Sequence, residues 1–473
     1  MIYLFDSHRK QKCPFKPLKA PNVLMYVCGP TVYDYSHLGH ARSAITFDLL
    51  SRMLTLSGYR VHLVKNFTDI DDKIIAKAIQ KNTDIQTLTA FFIQAYLQDM
   101  QALGVARAHL EPKASTHLED IVQMVQGLLT KGFAYQTPNG DVYLDTSLDK
   151  AYGSLSGHSL ELESVSRIED NHEKKHPQDF ALWKAYKGEG DVGYASALGK
   201  GRPGWHIECS AMIRVSGAYT DTPYQIDIHG GGSDLFFPHH ENEASQSRCA
   251  FNQELAQFWV HNGFVNISGE KMSKSLGNSF YIKDALRTYD GEILRNYLLG
   301  VHYSAILNFS PEDLVSQKKR LDKLYRLKKR ALELAHAPST ADATFTHALL
   351  ESMQDDLNIS RALSVLEEHL HLSNEKLDNT TNKVDKKHGA SQILADLLFV
   401  ESLLGLGGKE PSVYFQLGVD AELKEYINTQ IALRQEAKKA KDFARADAIR
   451  QALSQRGIAL MDTPSGTIWE KII

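Results

Sequence analysis

The stretch Asn22-Val23-Leu24-Met25-Tyr26-Val27-Cys28-Gly29-Pro30 opens the part of the chain that decides its fold. Its largely apolar run predicts a buried strand that ends in a turn at Cys28 to Pro30. A helix is predicted next, from His37 to a stop at Gly58, and the alternating residues 59–67 predict a second strand. Strand, helix and strand in this order form a βαβ unit, which builds parallel sheets.

Two histidines stand at the mouth of the predicted helix, in His37-Leu38-Gly39-His40. The unpaired N–H groups of a first helical turn attract anions, and Gly39 allows close approach of a phosphate or a base. His37 and His40 could donate hydrogen bonds to phosphate oxygens. Two histidines at this place could equally be helix caps or satisfied core residues.

A second motif, Lys271-Met272-Ser273-Lys274-Ser275, places two lysines between Gly269 and Gly277. By itself it could be a solvated lysine loop. Lysines close to glycine also suit the charge of a nucleotide triphosphate. Together the two motifs indicate ATP.

The two motifs resemble the paired signatures of the class I aminoacyl-tRNA synthetases, with Leu38 where that pattern has isoleucine. Three further stretches are similar to the cysteinyl-tRNA synthetase family, and the resemblance covers essentially the whole chain, most weakly around residues 335 to 420. These stretches are Thr68-Asp69-Ile70-Asp71-Asp72-Lys73, Gly201-Arg202-Pro203-Gly204-Trp205-His206-Ile207-Glu208-Cys209, and His229-Gly230-Gly231-Gly232-Ser233-Asp234-Leu235-Phe236-Phe237-Pro238-His239-His240-Glu241-Asn242-Glu243.

The resemblance implies a ligase that activates L-cysteine with ATP to cysteinyl-adenylate and transfers it to the 3′ end of tRNA(Cys). It implies an ATP site at His37, Gly39, His40 and Lys274, with His37, His40, Lys271 and Lys274 as the catalytic residues. In-line phosphoryl chemistry depends on positioning and charge neutralisation, so the lysines would meet the developing charge of pyrophosphate and Mg²⁺ would bridge its oxygens. The resemblance also places Gly29, Thr68 and Trp205 at the substrate, although Trp205 alone would be a core residue by default.

Cys28, Cys209, His239 and Glu243 are candidate metal ligands. His239 and Glu243 are four residues apart and would share one face of a helix; His240 is three residues from Glu243, so spacing alone does not exclude it. Two thiolates, an imidazole and a carboxylate suit Zn²⁺. Buried free cysteines are more often core residues, and no CxxC pair is present. The choice of these four, one Zn²⁺ per chain and its binding of the substrate thiolate are therefore implied by the resemblance; Cys13 and Cys249 match no ligand position.

The composition is that of a multidomain globular protein: 473 residues, 43% hydrophobic and 23% charged. No run approaches the roughly 18 apolar residues of a membrane span, no signal peptide is evident, and the four cysteines are not a disulfide framework. A cytoplasmic protein without membrane contact is expected, and the resemblance favours a monomer. The net charge of -4 argues against indiscriminate nucleic-acid binding but allows a local RNA surface.

The predicted fold class is α/β, with a split Rossmann-like parallel-sheet catalytic domain that carries an insertion, then a helical bundle and a small C-terminal anticodon-binding domain. The predicted parts are the first catalytic half (1–115), an inserted connective domain (116–204), the second half with the lysine motif (205–310), the bundle (311–404) and the C-terminal domain (412–473). Asn139-Gly140 predicts a hairpin turn in the insertion. The basic helix that begins at Pro311 could contact RNA or be merely solvated.

Two other functions use some of the same features. A ligase that joins cysteine to a small amino sugar would share the catalytic half and the metal site, but it should lack an anticodon-binding tail. A non-catalytic RNA-binding relative would keep the tail and should have eroded ATP motifs, whereas both motifs are intact here.

Overall fold

A computed structural model describes residues 1–157, 173–267, 270–271, 280–463 and 466–471 of the chain. The strands are β1 (Tyr3–Asp6), β2 (Gln11–Pro14), β3 (Asn22–Val27), β4 (Arg60–Lys65), β5 (Ala134–Gln136), β6 (Val142–Leu144), β7 (Phe180–Ala185), β8 (Gly201–Pro203), β9 (Tyr224–Gly232), β10 (Glu254–Asn262), β11 (Val265–Ile267), β12 (Glu270–Lys271), β13 (Leu307–Phe309), β14 (Ile458–Thr463) and β15 (Gly466–Lys471). The helices are α1 (Leu38–Leu56), α2 (Asp72–Lys81), α3 (Ile85–Ala102), α4 (Leu118–Thr130), α5 (Trp205–Val215), α6 (Glu241–Phe251), α7 (Ile282–Ala285), α8 (Gly291–Leu298), α9 (Pro311–Leu334), α10 (Ala343–Gln354), α11 (Ile359–Asn379), α12 (Lys383–Leu404), α13 (Pro411–Tyr414), α14 (Ala421–Lys439) and α15 (Phe443–Gln455).

The chain divides into two compact units. The first comprises Met1–Lys283, Tyr297–Asp313 and His347–Leu366, and the second comprises Asp284–Asn296, Leu314–Thr346 and Glu367–Ile473. Among the described residues, none of the helices is both long and apolar enough to cross a lipid bilayer.

A four-stranded parallel sheet with the order β10-β9-β3-β4 forms the centre of the first unit. The predicted βαβ unit is confirmed as β3, α1 and β4, and α6 links β9 to β10 in the same sheet. Chain order reverses between the neighbours β3 and β9. Open α/β sheets bind ligands beyond the carboxyl ends of their strands at such a reversal.

The apolar run predicted as a strand is almost entirely buried in β3, where residues 23–27 are each at most 5% exposed. Such a run suits a central parallel strand, which is covered on both faces. Helix α1 begins after His37, its N-cap, and ends just before Gly58, whose φ of +93° favours glycine. These local signals set the ends of the predicted elements correctly.

The inserted segment forms an antiparallel sheet with the order β5-β6-β7-β8. The hairpin predicted at Asn139-Gly140 is confirmed, since Gln136 pairs with Val142 across it and Gly140 has a φ of +94°. The sheet shares a buried core with α4 and α5 that contains Trp183. This sheet is therefore part of the first unit, with the chain continuing from β8 into α5.

The second unit is largely helical. In α9, which begins at Pro311 as predicted, the predicted inner residues Leu321, Leu324, Tyr325 and Leu327 are all buried. At the end of the chain, α14, α15 and the β14–β15 hairpin enclose a separate apolar core: Val419, Ile427, Ile431, Leu453, Ile458, Leu460 and Trp469. The predicted parallel-sheet α/β fold with a helical C-terminal region is confirmed.

Candidate active site

The four candidate metal ligands converge at the carboxyl edge of the parallel sheet. Cys28 follows the last residue of β3, and its N–H donates to the carbonyl of Gly230 on β9 (3.0 Å). Cys209 lies on α5, while His239 and Glu243 lie on either side of the start of α6. All four are buried, and one ligand atom from each lies within 4.8 Å of the others.

The spacing of these ligand atoms matches a tetrahedral ion. For Zn–S of about 2.3 Å and Zn–N or Zn–O of about 2.1 Å, tetrahedral geometry separates the ligands by about 3.8 Å (S to S), 3.6 Å (S to O) and 3.4 Å (N to O). The separations are 3.9 Å between the Sγ atoms of Cys28 and Cys209, 3.7 Å from Cys28 Sγ to Glu243 Oε1, and 3.5 Å from His239 Nε2 to the same oxygen. The donor set therefore fits Zn²⁺ in chemistry and spacing.

The protonation states of Cys209 and Glu243 also favour binding of a cation at this cluster. Burial raises the pKa of Cys28, which keeps its proton and shares it with Cys209, and this hydrogen bond lowers the pKa of Cys209 to about 6. Burial disfavours the Glu243 carboxylate, but His229 and His239 outweigh that effect and lower its pKa. A thiolate and a carboxylate are the forms in which these side chains bind metals.

The structure brings His239 and His240 to different oxygens of Glu243. His239 approaches the Glu243 oxygen that faces Cys28, whereas His240 Nε2 lies 3.9 Å from the other oxygen, Oε2. His229 Nε2 is 2.9 Å from Oε2 as well. Cys28, His229, His240 and Glu243 thus form a second possible ligand set with only one thiol. The set with two thiols and His239 matches the prediction.

Two histidines near the cluster, His229 and His261, were not predicted from the sequence, whereas His240 was considered as an alternative to His239. His229 and His240 contact Glu243, and His240 Nδ1 lies 2.8 Å from His261 Nε2. The only available signal was the position of His229 at the start of the matching glycine-rich stretch. His261 comes from β10 and belongs to no motif. His229 and His240 thus contact Glu243 at Oε2, and His261 contacts the cluster only through His240.

The candidate substrate residues flank the cluster. The ring of Trp205 stacks on that of His239, with centroids 4.3 Å apart and 28° between the planes. Thr68 is buried, and its main chain pairs with the turn after Cys28, because Thr68 N–H donates to the carbonyl of Pro30 (3.2 Å). Gly29 N–H donates to Asn66 Oδ1 (2.8 Å). Trp205 thus contacts a candidate ligand, Gly29 adjoins Cys28 in the chain, and Thr68 pairs with the turn that follows Cys28.

Gly29 tolerates no side chain, and we expect Gly29→Ala to lower the free energy of unfolding by about 3 kcal/mol. A Cβ there would lie 1.6 Å from the carbonyl oxygen of Asn66, so two backbone segments would have to separate. Gly127→Ala is the matched control, because a Cβ there meets nothing within 4 Å and α4 gains a better helix former. Urea denaturation measures both; equal stability of the two variants would contradict the steric argument.

The first signature combines a capping role with a binding role. Gly39 N–H donates to His37 Nδ1 (3.1 Å), and His37 N–H donates to His40 Nδ1 (3.3 Å). The two rings stack with centroids 3.8 Å apart. Because both Nδ1 atoms accept, the neutral rings carry their protons on Nε2, from which they could donate to an anion. The capping interpretation is therefore correct without excluding phosphate binding.

The second signature lies mostly outside the described residues, which include neither Met272 to Ser279 nor the side chain of Lys271. Both ends of this segment are placed. Lys271 pairs through its main chain with Asn266 in β11. After the segment, Leu38 N–H donates to the carbonyl of Phe280 (3.3 Å), and Ile282 N–H donates to that of Ser36 (2.9 Å). The chain thus returns from the second signature directly beside the first.

Solved structures share this fold. The chain resembles a Mycobacterium tuberculosis methionyl-tRNA synthetase in complex with methionyl-adenylate, with a TM-score of 0.59 at 14% identity, covering 87% of this chain and 94% of that one. It also resembles the Agrobacterium radiobacter K84 agnB2 LeuRS in a ternary complex with tRNA and LeuAMS (TM-score 0.61, 11% identity, 86% of each chain). Residues 14–319 match the family described as tRNA synthetases class I (C) catalytic domain. Fold and family match together define a class I aminoacyl-tRNA synthetase.

Curated relatives identify the family to which the chain belongs within this class. The chain is 60% identical over 472 residues to the cysteine–tRNA ligase of Helicobacter pylori strain P12, and 59% identical over 472 residues to that of Wolinella succinogenes. Each comparison covers 100% of this chain and 100% of the relative. The chain belongs to the cysteine–tRNA ligase family.

Proposed function

We propose that this chain activates L-cysteine with ATP and transfers it to tRNA(Cys), with a metal-centred pocket that recognises the thiol. The observation that carries the proposal is the buried set of two cysteines, a histidine and a glutamate at the reversal point of the sheet. In the chain, His37 and His40 follow Cys28 closely, at the amino end of the helix after the same strand. A thiol-binding centre and an anion-binding helix end thus occupy one edge of the sheet.

Zn²⁺ is the proposed ion, held by Cys28, Cys209, His239 and Glu243. The spacing of their ligand atoms supports a tetrahedral ion, and thiolate ligands select zinc over magnesium or calcium. When bound, zinc would supply a Lewis-acidic position that prefers a thiolate to an aliphatic hydroxyl. Trp205, Thr68 and Gly29 would form the walls around the cysteine side chain and its backbone.

In the first step, the cysteine carboxylate attacks the α-phosphorus of ATP, and the bond to the β-phosphate oxygen breaks as pyrophosphate leaves. The proposed role of His37, Gly39 and His40 is to bind the triphosphate at the amino end of α1, where N–H groups and the helix dipole favour anions. Lys271 and Lys274 would meet the charge that develops on pyrophosphate, together with Mg²⁺ bound to its oxygens. These groups position ATP and neutralise its charge.

In the second step, a ribose hydroxyl at the 3′ end of tRNA(Cys) attacks the adenylate carbonyl, and AMP leaves. We propose that the predicted division into two catalytic halves, an insertion, a helical bundle and an anticodon-binding domain applies to this chain. Full-length identity to the curated ligases, C-terminal region included, supports a tRNA substrate over the amino-sugar alternative. Both ATP signatures are intact in the sequence, and this favours a catalytic protein over a non-catalytic RNA-binding one.

The proposed function is tested by cysteine-dependent exchange of ATP with labelled pyrophosphate, beside a charging assay with tRNA(Cys). Both activities are expected. Exchange without charging of tRNA would favour the amino-sugar ligase, and the absence of exchange would overturn the proposal. Omission of cysteine, and its replacement by serine, are the controls for the amino acid.

Removing residues 419–473 should spare pyrophosphate exchange and lower kcat/KM for tRNA by about a hundredfold, because contacts to phosphates provide much of the affinity of proteins for nucleic acids. The cut follows Gly418 so that two contacts of the preceding segment remain: Lys409 Nζ lies 3.2 Å from Glu292 Oε2, and Tyr414 stacks on Tyr325 (3.8 Å). Circular dichroism checks folding of the truncated chain. A folded truncate that charges tRNA with unchanged kinetics would contradict the prediction.

We further propose that the enzyme acts in the cytoplasm as a monomer. All four cysteines are free, and the Sγ atoms of Cys28 and Cys209 are 3.9 Å apart, well beyond a disulfide bond. Free thiols suit a reducing compartment. The proposal of a monomer rests on family resemblance. Analytical ultracentrifugation of the purified chain tests it by measuring the oligomeric state.

A further inference from the structure

Four charged side chains tie the start of α2 to the inserted sheet. Asp72, the first residue of α2, has Oδ2 2.6 Å from Lys184 Nζ and Oδ1 2.5 Å from Arg202 Nη2. Arg202 also binds Asp191 through Nη1. We call Asp72, Lys184, Asp191 and Arg202 the Asp72 cluster. Since Lys184 on β7 and Arg202 on β8 are cross-strand partners, a single carboxylate holds two neighbouring strands.

One side of the Asp72 cluster leads directly to the cysteine pocket. Strand β8 ends at Pro203, and Trp205 begins α5 after a single intervening residue, Gly204. Gly204 N–H donates to the carbonyl of Leu182 (2.9 Å), and a Cβ on Gly204 would lie 1.9 Å from the carbonyl oxygen of Ala181. The chain is therefore packed tightly against β7 here, and a shift of β8 is transmitted to Trp205.

Through Asp72 itself, the Asp72 cluster also connects to Thr68, another proposed wall of the pocket. Asp72 ends the run that starts at Thr68, whose carbonyl accepts from Val32 N–H (3.2 Å). Within this run, Asp69 Oδ1 accepts from Ser115 N–H (2.9 Å), and Asp71 caps α2. The run is thus held firmly between its two ends. Asp72 links the wall that contains Thr68 to β8, the strand that leads into Trp205.

From these contacts we infer that Asp72 is a positioning residue for cysteine: it sets the distance between the Thr68 and Trp205 walls by holding Arg202 and Lys184. The inference rests on the proposed function. Stability is not its main contribution, because the Asp72 side chain is 52% exposed and exposed ion pairs stabilise proteins little. Arg202, only 9% exposed, keeps Asp191 as a partner when Asp72 is replaced. Replacement thus breaks the link to α2 without leaving a buried charge unpaired.

The test is steady-state pyrophosphate exchange by the full-length Asp72→Asn and Arg202→Lys variants. Each should raise KM for cysteine about tenfold and leave KM for ATP within about twofold, because misplacement of one wall affects one substrate. Glu111→Gln is the control, since it breaks the Arg107–Glu111 pair, whose arginine is 65% exposed. That variant should match the wild-type chain in both constants.

A double variant separates one shared link from two independent effects. If Asp72 and Arg202 act through their contact, the chain with both Asp72→Asn and Arg202→Lys should have a KM for cysteine no higher than that of the single variant with the higher KM. Lys184→Met replaces Asp72→Asn in the same test if the latter does not fold. Unchanged cysteine KM, equal rises in both KM values, or additive effects would each overturn the inference. A wild-type chain without cysteine-dependent exchange would instead overturn the proposed function and the inference with it.

Discussion

We expect Cys209→Ser to lower cysteine-dependent pyrophosphate exchange by about a thousandfold, since loss of an outer-shell partner alone typically costs 10-fold to 100-fold in a metal site. The hydrogen bond from Cys28 lowers the pKa of Cys209 to about 6, which makes a thiolate available at this position as a metal ligand. A serine hydroxyl stays protonated at neutral pH and is a poor ligand for zinc. Metal occupancy should fall in parallel, as measured by atomic absorption of the purified variant.

Cys249→Ser is the matched control for this change. Cys249 is also a buried thiol, 4% exposed, but it belongs to the apolar core shared by the inserted sheet and α6. Its replacement by serine should cost some stability and leave both exchange and zinc content near wild-type values. If Cys249→Ser loses activity as severely as Cys209→Ser, the loss reflects a disturbed core and the ligand role of Cys209 is not supported.

Cobalt substitution tests the thiol-binding role without relying on activity. Cobalt in the cluster should show sulfur-to-metal charge transfer from Cys28 and Cys209, and added cysteine should intensify that band while added serine should not. Apolar packing discriminates weakly between close isosteres, so this difference would explain selectivity without an editing step. A spectrum that ignores saturating cysteine while exchange proceeds would make the metal structural, and selectivity would have to come from Thr68 and Trp205.

The fold was predictable because its central elements carry strong local signals. The apolar run of β3, the cap at His37 and the glycine at 58 each have a physical cause that acts within a few residues. The grouping of the candidate metal ligands carries no such local signal in the sequence. Cys28 and Cys209 are 181 positions apart in the chain, and nothing in their spacing indicates that their sulfurs lie 3.9 Å apart.

Helical periodicity also gave an incomplete picture around Glu243. The prediction placed His239 and Glu243 on one helix, and both lie on continuous helical backbone, because the π-helical turn Phe236–His240 runs directly into α6; the break is at Phe237, with φ −134° and ψ 134°. His239 and His240 both turn toward Glu243, each to a different oxygen. Only tertiary structure separates the two, because helical spacing assigns a side of the helix and not an atom of the carboxylate.

The Asp72 cluster lies wholly outside what the sequence could predict. Asp72 and Arg202 both stand in matching stretches, but their ion pair joins residues 130 positions apart. Charged residues at such a distance carry no pairing signal in a single sequence. Long-range packing therefore brings Asp72 to Lys184 and Arg202, while local sequence decides the helix and strands on which they lie.

Lys274→Ala should lower the rate of adenylate formation by about a hundredfold, because an electrostatic donor aimed at developing charge is typically worth about 3 kcal/mol. Cysteine affinity should change little, since the lysine would meet charge chiefly in the transition state. Lys271→Ala should behave similarly. The residues that follow the motif support this role, because Phe280 and Ile282 are hydrogen-bonded through their main chain to Leu38 and Ser36 at the mouth of α1.

Rapid single-turnover measurement of adenylate formation, with cysteine affinity determined separately from the concentration dependence, distinguishes this role from a general charge effect. Lys387→Ala is the control, because it removes one positive charge from an exposed position on α12. Normal single-turnover rates in both Lys271→Ala and Lys274→Ala would leave the motif as a solvated lysine loop. The charge of pyrophosphate would then have to be met by the helix mouth and its two histidines, since the anion still requires donors when phosphorus is attacked.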